Sequence, residues 1–274
     1  MSLDRIKEKF ESIKREGRPG LIVYLTTGFP DLEATLELVP ALAEAGADGI
    51  ELSIPFSDPL ADGPVIQESS YHALQRGVTP DDCLELVSKV RGKVPDTPLI
   101  LMTYYNPVHS YGLEQFAQRL MECGIDGVIP VDVPAEEAGP LYEQCAPRGI
   151  HIVPLLAPTS TDKSIKTAVS MSSGFIYCVS VTGITGTRDQ VSQRGLGLLQ
   201  RVRQFTSLPL AVGFGISRRE HVETVCQEAE AAAVGSALIR TMLESPRNEV
   251  VERSSKLVAD LAGRSWPPSE GREL

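Results

Sequence analysis

Residues 49–64 read GIELSIPFSDPLADGP, and this stretch sets both the fold and the chemistry that we expect. Its first residues are a short apolar run that follows an alanine-rich segment, which predicts a buried strand after a helix. Glu51 lies within that run, although burying an ionised carboxylate is costly unless it is paired or its pKa rises. The adjoining loop carries Asp58 and Asp62. The arrangement predicts acid–base catalysis by carboxyl groups, the alternative being a structural Glu51 beside turn-forming aspartates.

Eight apolar runs of this kind alternate with helical patterns along the chain. Uninterrupted apolar strands indicate a parallel sheet that is covered on both faces. Eight β/α alternations over about 250 residues match the size of a (β/α)8 barrel. We therefore predict an α/β fold, a TIM barrel, with an open doubly wound sheet as the alternative; no GxGxxG opens a first helix to support the latter. The predicted strands are 21–26, 49–53, 99–102, 127–131, 151–154, 175–179, 210–213 and 231–234.

The chain has no linker and no break in composition, so we predict that 1–274 forms a single TIM-barrel domain. The charged, amphipathic segment 1–17 is predicted to be an extra N-terminal helix. Segment 265–274 is predicted to be a disordered tail. It contains the one tryptophan, Trp266, which we expect to contribute nothing to the core.

Composition narrows the classes of partner. The net charge of −10 and the lack of a basic stripe count against binding to nucleic acid. No apolar run of about 18 residues is present, which counts against a membrane span. The five cysteines are scattered without a CxxC pair, which predicts reduced thiols and a cytoplasmic protein.

Two glycine-containing turns follow the last two predicted strands, AVGFGIS at 211–217 and VGSAL at 234–238. Glycine lets a ligand approach the backbone closely, and the amides at a helix N-terminus favour an anion. The loops after strands 7 and 8 are a recurring phosphate position in TIM barrels. The pattern predicts a phosphate site, the alternative being two tight turns.

The loop SVTGITGTRDQV at 180–191 is polar and rich in glycine and threonine. We expect it to act as a lid over a ligand, the alternative being an ordinary flexible connection. No lysine follows a predicted strand, and the four histidines lack metal-binding spacing. The residues therefore predict acid–base chemistry on a small phosphorylated molecule, with neither a metal nor a cofactor.

The segment 51–64 closely resembles the signature of the tryptophan synthase alpha chain family. The resemblance continues in order through 24–30, 101–107, 132–134, 180–186, 213–217 and 235–236. It implies a lyase of L-tryptophan biosynthesis that cleaves indole-3-glycerol phosphate to indole and D-glyceraldehyde 3-phosphate. It also implies a pyridoxal-phosphate beta chain as partner in an alpha2-beta2 tetramer, with no cofactor in this chain. The expected location is the cytoplasm, or the plastid stroma if the source is a plant.

The resemblance also implies roles for individual residues in a retro-aldol cleavage, in which the indole ring accepts the electrons. Glu51 would protonate indole C3 and help to remove the glycerol hydroxyl proton. Asp62 would accept a hydrogen bond from the indole N–H, and Tyr177 would orient Glu51 or the glycerol chain. The implied phosphate-binding residues are Gly186, Gly213, Phe214, Gly215, Gly235 and Ser236. The implied substrate pocket is formed by Tyr24, Ile66, Leu101, Tyr104 and Thr185, and Phe214 is a further candidate for the indole slot.

Small departures from the family pattern occur. Ser53 stands where the family commonly has glycine, and SVTG at 180–183 replaces a common Arg-Ala-Gly version of the lid. We expect both to tune loop dynamics. Three other functions stay open at this stage: another phosphate-binding barrel enzyme, a non-catalytic activator of a beta chain, and a stand-alone lyase that releases free indole.

Overall fold

The computed structural model describes residues 4–179, 193–213 and 215–266, and its strands form one parallel sheet. The strands are β1 (Gly20–Thr26), β2 (Gly49–Ser53), β3 (Leu99–Thr103), β4 (Gly127–Pro130), β5 (His151–Ile152), β6 (Leu155–Leu156), β7 (Ile176–Val179), β8 (Leu210–Gly213) and β9 (Ala231–Val234). The helices are α1 (Arg5–Glu16), α2 (Leu32–Ala45), α3 (Pro64–Gln75), α4 (Pro80–Arg91), α5 (Tyr105–Tyr111), α6 (Leu113–Cys123), α7 (Gly139–Cys145), α8 (Asp162–Met171), α9 (Gln193–Arg203), α10 (Arg219–Val225), α11 (Ser236–Leu243) and α12 (Val250–Ala262).

The sheet closes on itself through the segment 151–156. The strand order is β5-β4-β3-β2-β1-β9-β8-β7-β6, and its two end strands are the two halves of this segment. The Val153 N–H donates to the Val128 carbonyl at 2.9 Å, and the Tyr177 N–H donates to the Pro154 carbonyl at 3.2 Å. The predicted eight-stranded barrel is therefore confirmed. The predicted fifth strand is divided at Pro154, which has no N–H to give to the ladder.

Side chains along most strands alternate between two cores, as the period of two requires. The inner core fills the barrel with residues such as Ile22, Ile100, Ile129 and Phe175. The outer core, between the sheet and the helices, includes the strand residues Val23, Ile50, Leu52, Leu99, Leu101 and Val128. Which core a residue joins decides whether its side chain can reach a site inside the barrel.

The predicted N-terminal helix closes the base of the barrel. Asp4 caps α1 by accepting the Lys7 N–H, and Gly17 ends the helix with a φ of +63°. Ile6, Phe10 and Ile13 are buried in the inner core. Because α1 fills one end of the barrel, the open end lies at the carboxyl ends of the strands.

The expectation for Trp266 is wrong. Its side chain is half-buried and packs against the outer core. After α12, Gly263 adopts a φ of +69° and the Arg264 N–H donates back to the Ala259 carbonyl at 2.8 Å. This turn directs the chain back along the helix and leaves Trp266 beside the core. Residues 267–274 of the predicted tail lie outside the described residues.

Candidate active site

Glu51 is a buried, unpaired carboxyl inside the barrel. Its neighbours on β2, Ile50 and Leu52, belong to the outer core, so Glu51 faces the interior. Its side chain is 1% exposed, and its Oε1 has no hydrogen-bond partner among the described residues. Burial raises the pKa of Glu51 from 4.5 to about 8. At neutral pH the group therefore keeps its proton and is able to act as an acid.

Asp62 lies on the loop between β2 and α3, which two side chains hold in place. The Tyr104 hydroxyl donates to Asp62 Oδ2 at 3.0 Å and accepts the Ala61 N–H at 3.0 Å. Gln67 Nε2 donates to the Asp62 carbonyl at 2.9 Å. Burial raises the pKa of Asp62, and the hydrogen bond from Tyr104 lowers it in part. Asp62 is thus a fixed acceptor at the mouth of the barrel.

Two tyrosines surround the carboxyls. Tyr24 on β1 is the register partner of Glu51, and Tyr177 on β7 belongs to the inner core. Burial is the larger cause and the negative charge of Glu51 the smaller one that raise the pKa of Tyr177 well above 10. Burial, then the charge of Asp62, raises the pKa of Tyr24 as well. The structure therefore brings Glu51, Asp62, Tyr24 and Tyr177 together.

The prediction that Leu101 lines the substrate pocket is wrong, because its side chain lies on the outer face of β3. Leu101 is fully buried in the outer core, whereas Ile100 and Met102 face the inner core. Sequence reasoning missed Met102 and two further inward-facing apolar residues near the mouth, Ile129 and Val131. The register could have found Met102, because it pairs with Ser53, which lies two residues after Glu51.

The other predicted pocket residues divide into two groups. Ile66 is buried in the first turn of α3, directly after the Asp62 loop. The Tyr104 ring packs against Phe56, with their centroids 5.1 Å apart. Thr185 of the predicted pocket, Gly186 and Phe214 of the predicted phosphate site, and the whole predicted lid lie outside the described residues.

The start of α11 has the geometry of an anion site. Gly235 is its N-cap and provides no side-chain cap, whereas an Asp or Thr side chain caps α1, α2, α4 and α8. The Ile239 N–H donates a hydrogen bond to the Gly235 carbonyl. The amides that precede Ile239 in the helix have no carbonyl one turn earlier to which they could donate. Ser236 is the first residue of the helix. These groups follow β9, at the open end of the barrel.

Gly213, the last residue of β8, and Gly215, in the turn after it, are glycines for different structural reasons. Gly215 has a φ of +58°, a left-handed conformation that favours glycine. A Cβ on Gly213 would lie 2.8 Å from the Tyr177 hydroxyl oxygen, which is closer than packing allows. Gly213 therefore makes room for Tyr177, and this contact explains the glycine without a phosphate.

Two further observations concern metal binding and membrane-spanning helices. Within the described residues, no group of three or more His, Cys, Asp or Glu is arranged to hold a metal ion. In the same part of the chain, no helix is long and apolar enough to cross a membrane.

Known proteins resemble this chain over nearly its whole length. The family model described as tryptophan synthase alpha chain matches residues 10–263. The tryptophan synthase alpha chain of Roseiflexus sp. is 43% identical over 95% of this chain and 100% of its own length. The alpha chain structure from Legionella pneumophila has a TM-score of 0.87 and 32% identity, covering 96% of this chain and 97% of its own. A structure of Mycobacterium tuberculosis tryptophan synthase has a TM-score of 0.87 and 34% identity, covering 94% and 97%.

Proposed function

Because the chain belongs to the tryptophan synthase alpha chain family, we propose that Glu51 and Asp62 are the two catalytic carboxyls of its lyase reaction. The chain is a carbon–carbon lyase of L-tryptophan biosynthesis that cleaves indole-3-glycerol phosphate to indole and D-glyceraldehyde 3-phosphate. The observation that carries the residue assignment is the buried, unpaired Glu51 on the inner face of β2, with its pKa raised to about 8.

The first step is a proton transfer from Glu51 to indole C3. The carboxyl O–H bond breaks, a C–H bond forms, and the ring becomes a positively charged indolenine. Asp62 accepts a hydrogen bond from the ring N–H and stabilises that charge. The raised pKa of Glu51 supports this order, because the neutral acid is the form present at neutral pH.

The second step returns the proton to Glu51. The Glu51 carboxylate takes the proton from the glycerol hydroxyl next to the ring, and the oxygen forms a carbonyl. The bond between this carbon and C3 breaks, and its electrons return to the ring and neutralise the nitrogen. Glu51 ends as it began, and the products are indole and the aldehyde. Tyr177 lies beside Glu51 in the inner core and orients the carboxyl or the glycerol chain.

The phosphate binds at the start of α11 and the turn after β8. The uncapped amides that follow Gly235 and the hydroxyl of Ser236 supply donors, and the helix dipole favours the negative charge. Gly215, with its left-handed φ of +58°, lies in the turn that follows β8. Gly213 contributes by making room for Tyr177. The family resemblance adds Gly186 and Phe214 to the proposed phosphate-binding residues.

The partner is a tryptophan synthase beta chain, in an alpha2-beta2 tetramer. The Asp62 loop supports this, because Leu60 is 93% exposed while Asp62, two residues later, is fixed inside the mouth. A partner that covers Leu60 and Asp58 would act directly on the position of Asp62. Through the family resemblance, pyridoxal phosphate belongs to that partner. Neither proton transfer proposed for this chain requires a cofactor.

The cellular location is the cytoplasm. All five cysteines are free thiols, and Cys83, Cys123, Cys145 and Cys178 are buried in the core. A protein of this kind is typical of a reducing compartment.

An assay of indole release from indole-3-glycerol phosphate, with and without a beta chain, tests the proposed function. We expect low activity for the chain alone and a large rise in kcat when the beta chain is added. Full activity of the chain alone would contradict the partner assignment and favour a stand-alone lyase. Absence of indole in both conditions would contradict the lyase assignment.

A further inference from the structure

Asp132, in the loop after β4, caps a helix that begins much earlier in the chain. Its Oδ1 accepts the N–H of Tyr105, the first residue of α5, at 2.7 Å across 27 residues of sequence. Tyr104, the N-cap residue of α5, provides no side-chain cap of its own. In α1, α2, α4 and α8 the cap comes instead from the residue directly before the helix. The proposed mechanism assigns no role to Asp132.

Hydrogen bonds hold both ends of the peptide group that joins Tyr104 to Tyr105. The Thr103 hydroxyl donates to the Tyr104 carbonyl oxygen at 3.1 Å, and Asp132 accepts the Tyr105 N–H at the other end. A peptide group is planar, so bonds at its two ends fix the orientation of the whole plane. The Cα of Tyr104 lies in that plane, and the base of the Tyr104 side chain is therefore held in place.

The Tyr104 side chain carries this constraint to the loop after β2. Its hydroxyl donates to Asp62 Oδ2 and accepts the Ala61 N–H, both at 3.0 Å. Its ring is supported by Phe56, with the centroids 5.1 Å apart. Asp132, Tyr104 and Asp62 thus connect the loops after β4, β3 and β2, which are neighbouring strands in the sheet. Each step from one loop to the next is a hydrogen bond of 3.0 Å or less.

Asp132 lies beside the proposed site and not inside it. It is exposed, whereas its neighbour Val131 packs against the inner core. The charged and titratable groups around Tyr104 and Asp62 come from three elements. Burial, then the charge of Asp62 and to a smaller extent that of Asp132, raises the pKa of Tyr104. Tyr24, on β1, is also within the field of Asp62.

We propose that Asp132 is a positioning residue of the lyase reaction, which fixes the Tyr104–Tyr105 peptide group and so holds the Tyr104 hydroxyl against Asp62. With Oδ2 bonded to Tyr104, the other carboxyl oxygen, Oδ1, receives the ring N–H of the substrate. The inference rests on the proposed role of Asp62. It adds a residue that touches neither the substrate nor Asp62 and acts through Tyr104.

The test is a titration of the Asp62 carboxyl carbon by 13C NMR in the full chain, without substrate. The signal is assigned by its loss in Asp62→Asn. In Asp132→Ala, the loss of a negative charge would by itself lower the pKa of Asp62, whereas the loss of the Tyr104 hydrogen bond would raise it. The sign of the shift therefore separates the two effects. We expect a rise of up to about one unit, the size of one hydrogen bond to a charged group.

Three further variants serve as controls. Asp132→Asn keeps an oxygen that is able to accept the Tyr105 N–H, so the pKa of Asp62 should not rise. In a Tyr104→Phe background, Asp132→Ala should cause no rise, because no Tyr104 hydroxyl remains to be displaced. If Asp132→Ala does not fold, Thr103→Val releases the other end of the same peptide group, and the same rise is expected.

An unchanged or lowered pKa of Asp62 in folded Asp132→Ala would overturn the inference. An equal rise in Asp132→Asn would do so as well, as would a rise that persists in the Tyr104→Phe background, since the effect would then not pass through Tyr104. The titration does not depend on turnover. A failure of Asp62 as a catalytic group would appear instead as retained lyase activity in Asp62→Asn, and the two failures are thus distinguishable.

Discussion

The Tyr104 hydroxyl donates to Asp62 Oδ2 at 3.0 Å across the mouth of the barrel. The same oxygen accepts the N–H of Ala61, the residue before Asp62. One side chain from the end of β3 therefore fixes both the backbone and the carboxylate of the loop after β2. The position of a proposed catalytic group depends on this contact, so its loss has a measurable consequence.

Tyr104→Phe should lower kcat/KM and move the acidic limb of its pH profile upward. The hydrogen bond from Tyr104 lowers the pKa of Asp62, which burial has raised, so removing the bond raises that pKa further. Asp62 must be ionised to stabilise the indolenine, and activity is lost as the pH falls through its pKa. We expect a shift of about one unit.

Tyr111→Phe is the matched control, because Tyr111 donates a similar bond to Asp81 at 2.7 Å on the exposed surface. Its pH profile should be that of the wild type. An unshifted acidic limb in Tyr104→Phe would show that this contact does not govern Asp62.

Substitutions at the start of α11 should affect phosphate affinity unequally. Ser236→Ala removes one hydroxyl donor and should weaken glycerol phosphate binding by roughly 1 kcal/mol, about fivefold. Gly235→Val places a branched side chain over the backbone amides and should weaken binding far more. Isothermal titration calorimetry with glycerol phosphate measures both changes.

Gly235→Ala is the control for packing against Tyr24. Its Cβ would lie 3.5 Å from the Tyr24 Cβ, an ordinary contact, so the fold should tolerate it. Unchanged affinity in folded Gly235→Val would place the phosphate elsewhere.

The buried Glu51 should make stability depend on pH. Its pKa is about 8 in the folded chain and near 4.5 when unfolded, so the folded state holds the proton more tightly. The stabilisation from this group is complete below pH 4.5 and is lost progressively as the pH rises to about 8.

Glu51→Gln stays neutral at every pH. Relative to this variant, the wild type should therefore lose several kcal/mol of unfolding free energy between about pH 5 and pH 9. Urea unfolding at these two values measures the difference. Parallel pH dependence in the two proteins would mean that Glu51 ionises normally in the fold.

Much of the barrel is predictable from the sequence because burial imposes simple patterns. The apolar runs follow from strands that are covered on both faces, and Glu51 is conspicuous because such a run rarely contains an acid. Proline at position 154 is visible in the sequence, but its division of the fifth strand depends on which neighbours need an N–H there. That requirement is a property of the closed barrel.

The face of a strand on which a residue lies, and the contacts between distant segments, are less predictable. Leu101 and Met102 are both apolar, and only the register with β2 decides which one faces the interior. Trp266 follows the last helix in a polar segment, and the turn at Gly263 that returns it to the core is a tertiary feature. Thr26 on β1 and Ser69 on α3 have their side-chain oxygens 2.6 Å apart, and no spacing in the sequence reveals this contact.

The rate of indole release by Glu51→Gln, assayed with the beta chain at saturating indole-3-glycerol phosphate, tests the central claim most directly. The variant keeps the size and shape of the side chain, but its amide group has no acidic proton to give to C3. We predict a loss of roughly three orders of magnitude or more in kcat, since a positioned acid–base group contributes about 10²–10⁴-fold and Glu51 serves both steps. Turnover near the wild-type rate, with substrate affinity preserved, would contradict the account.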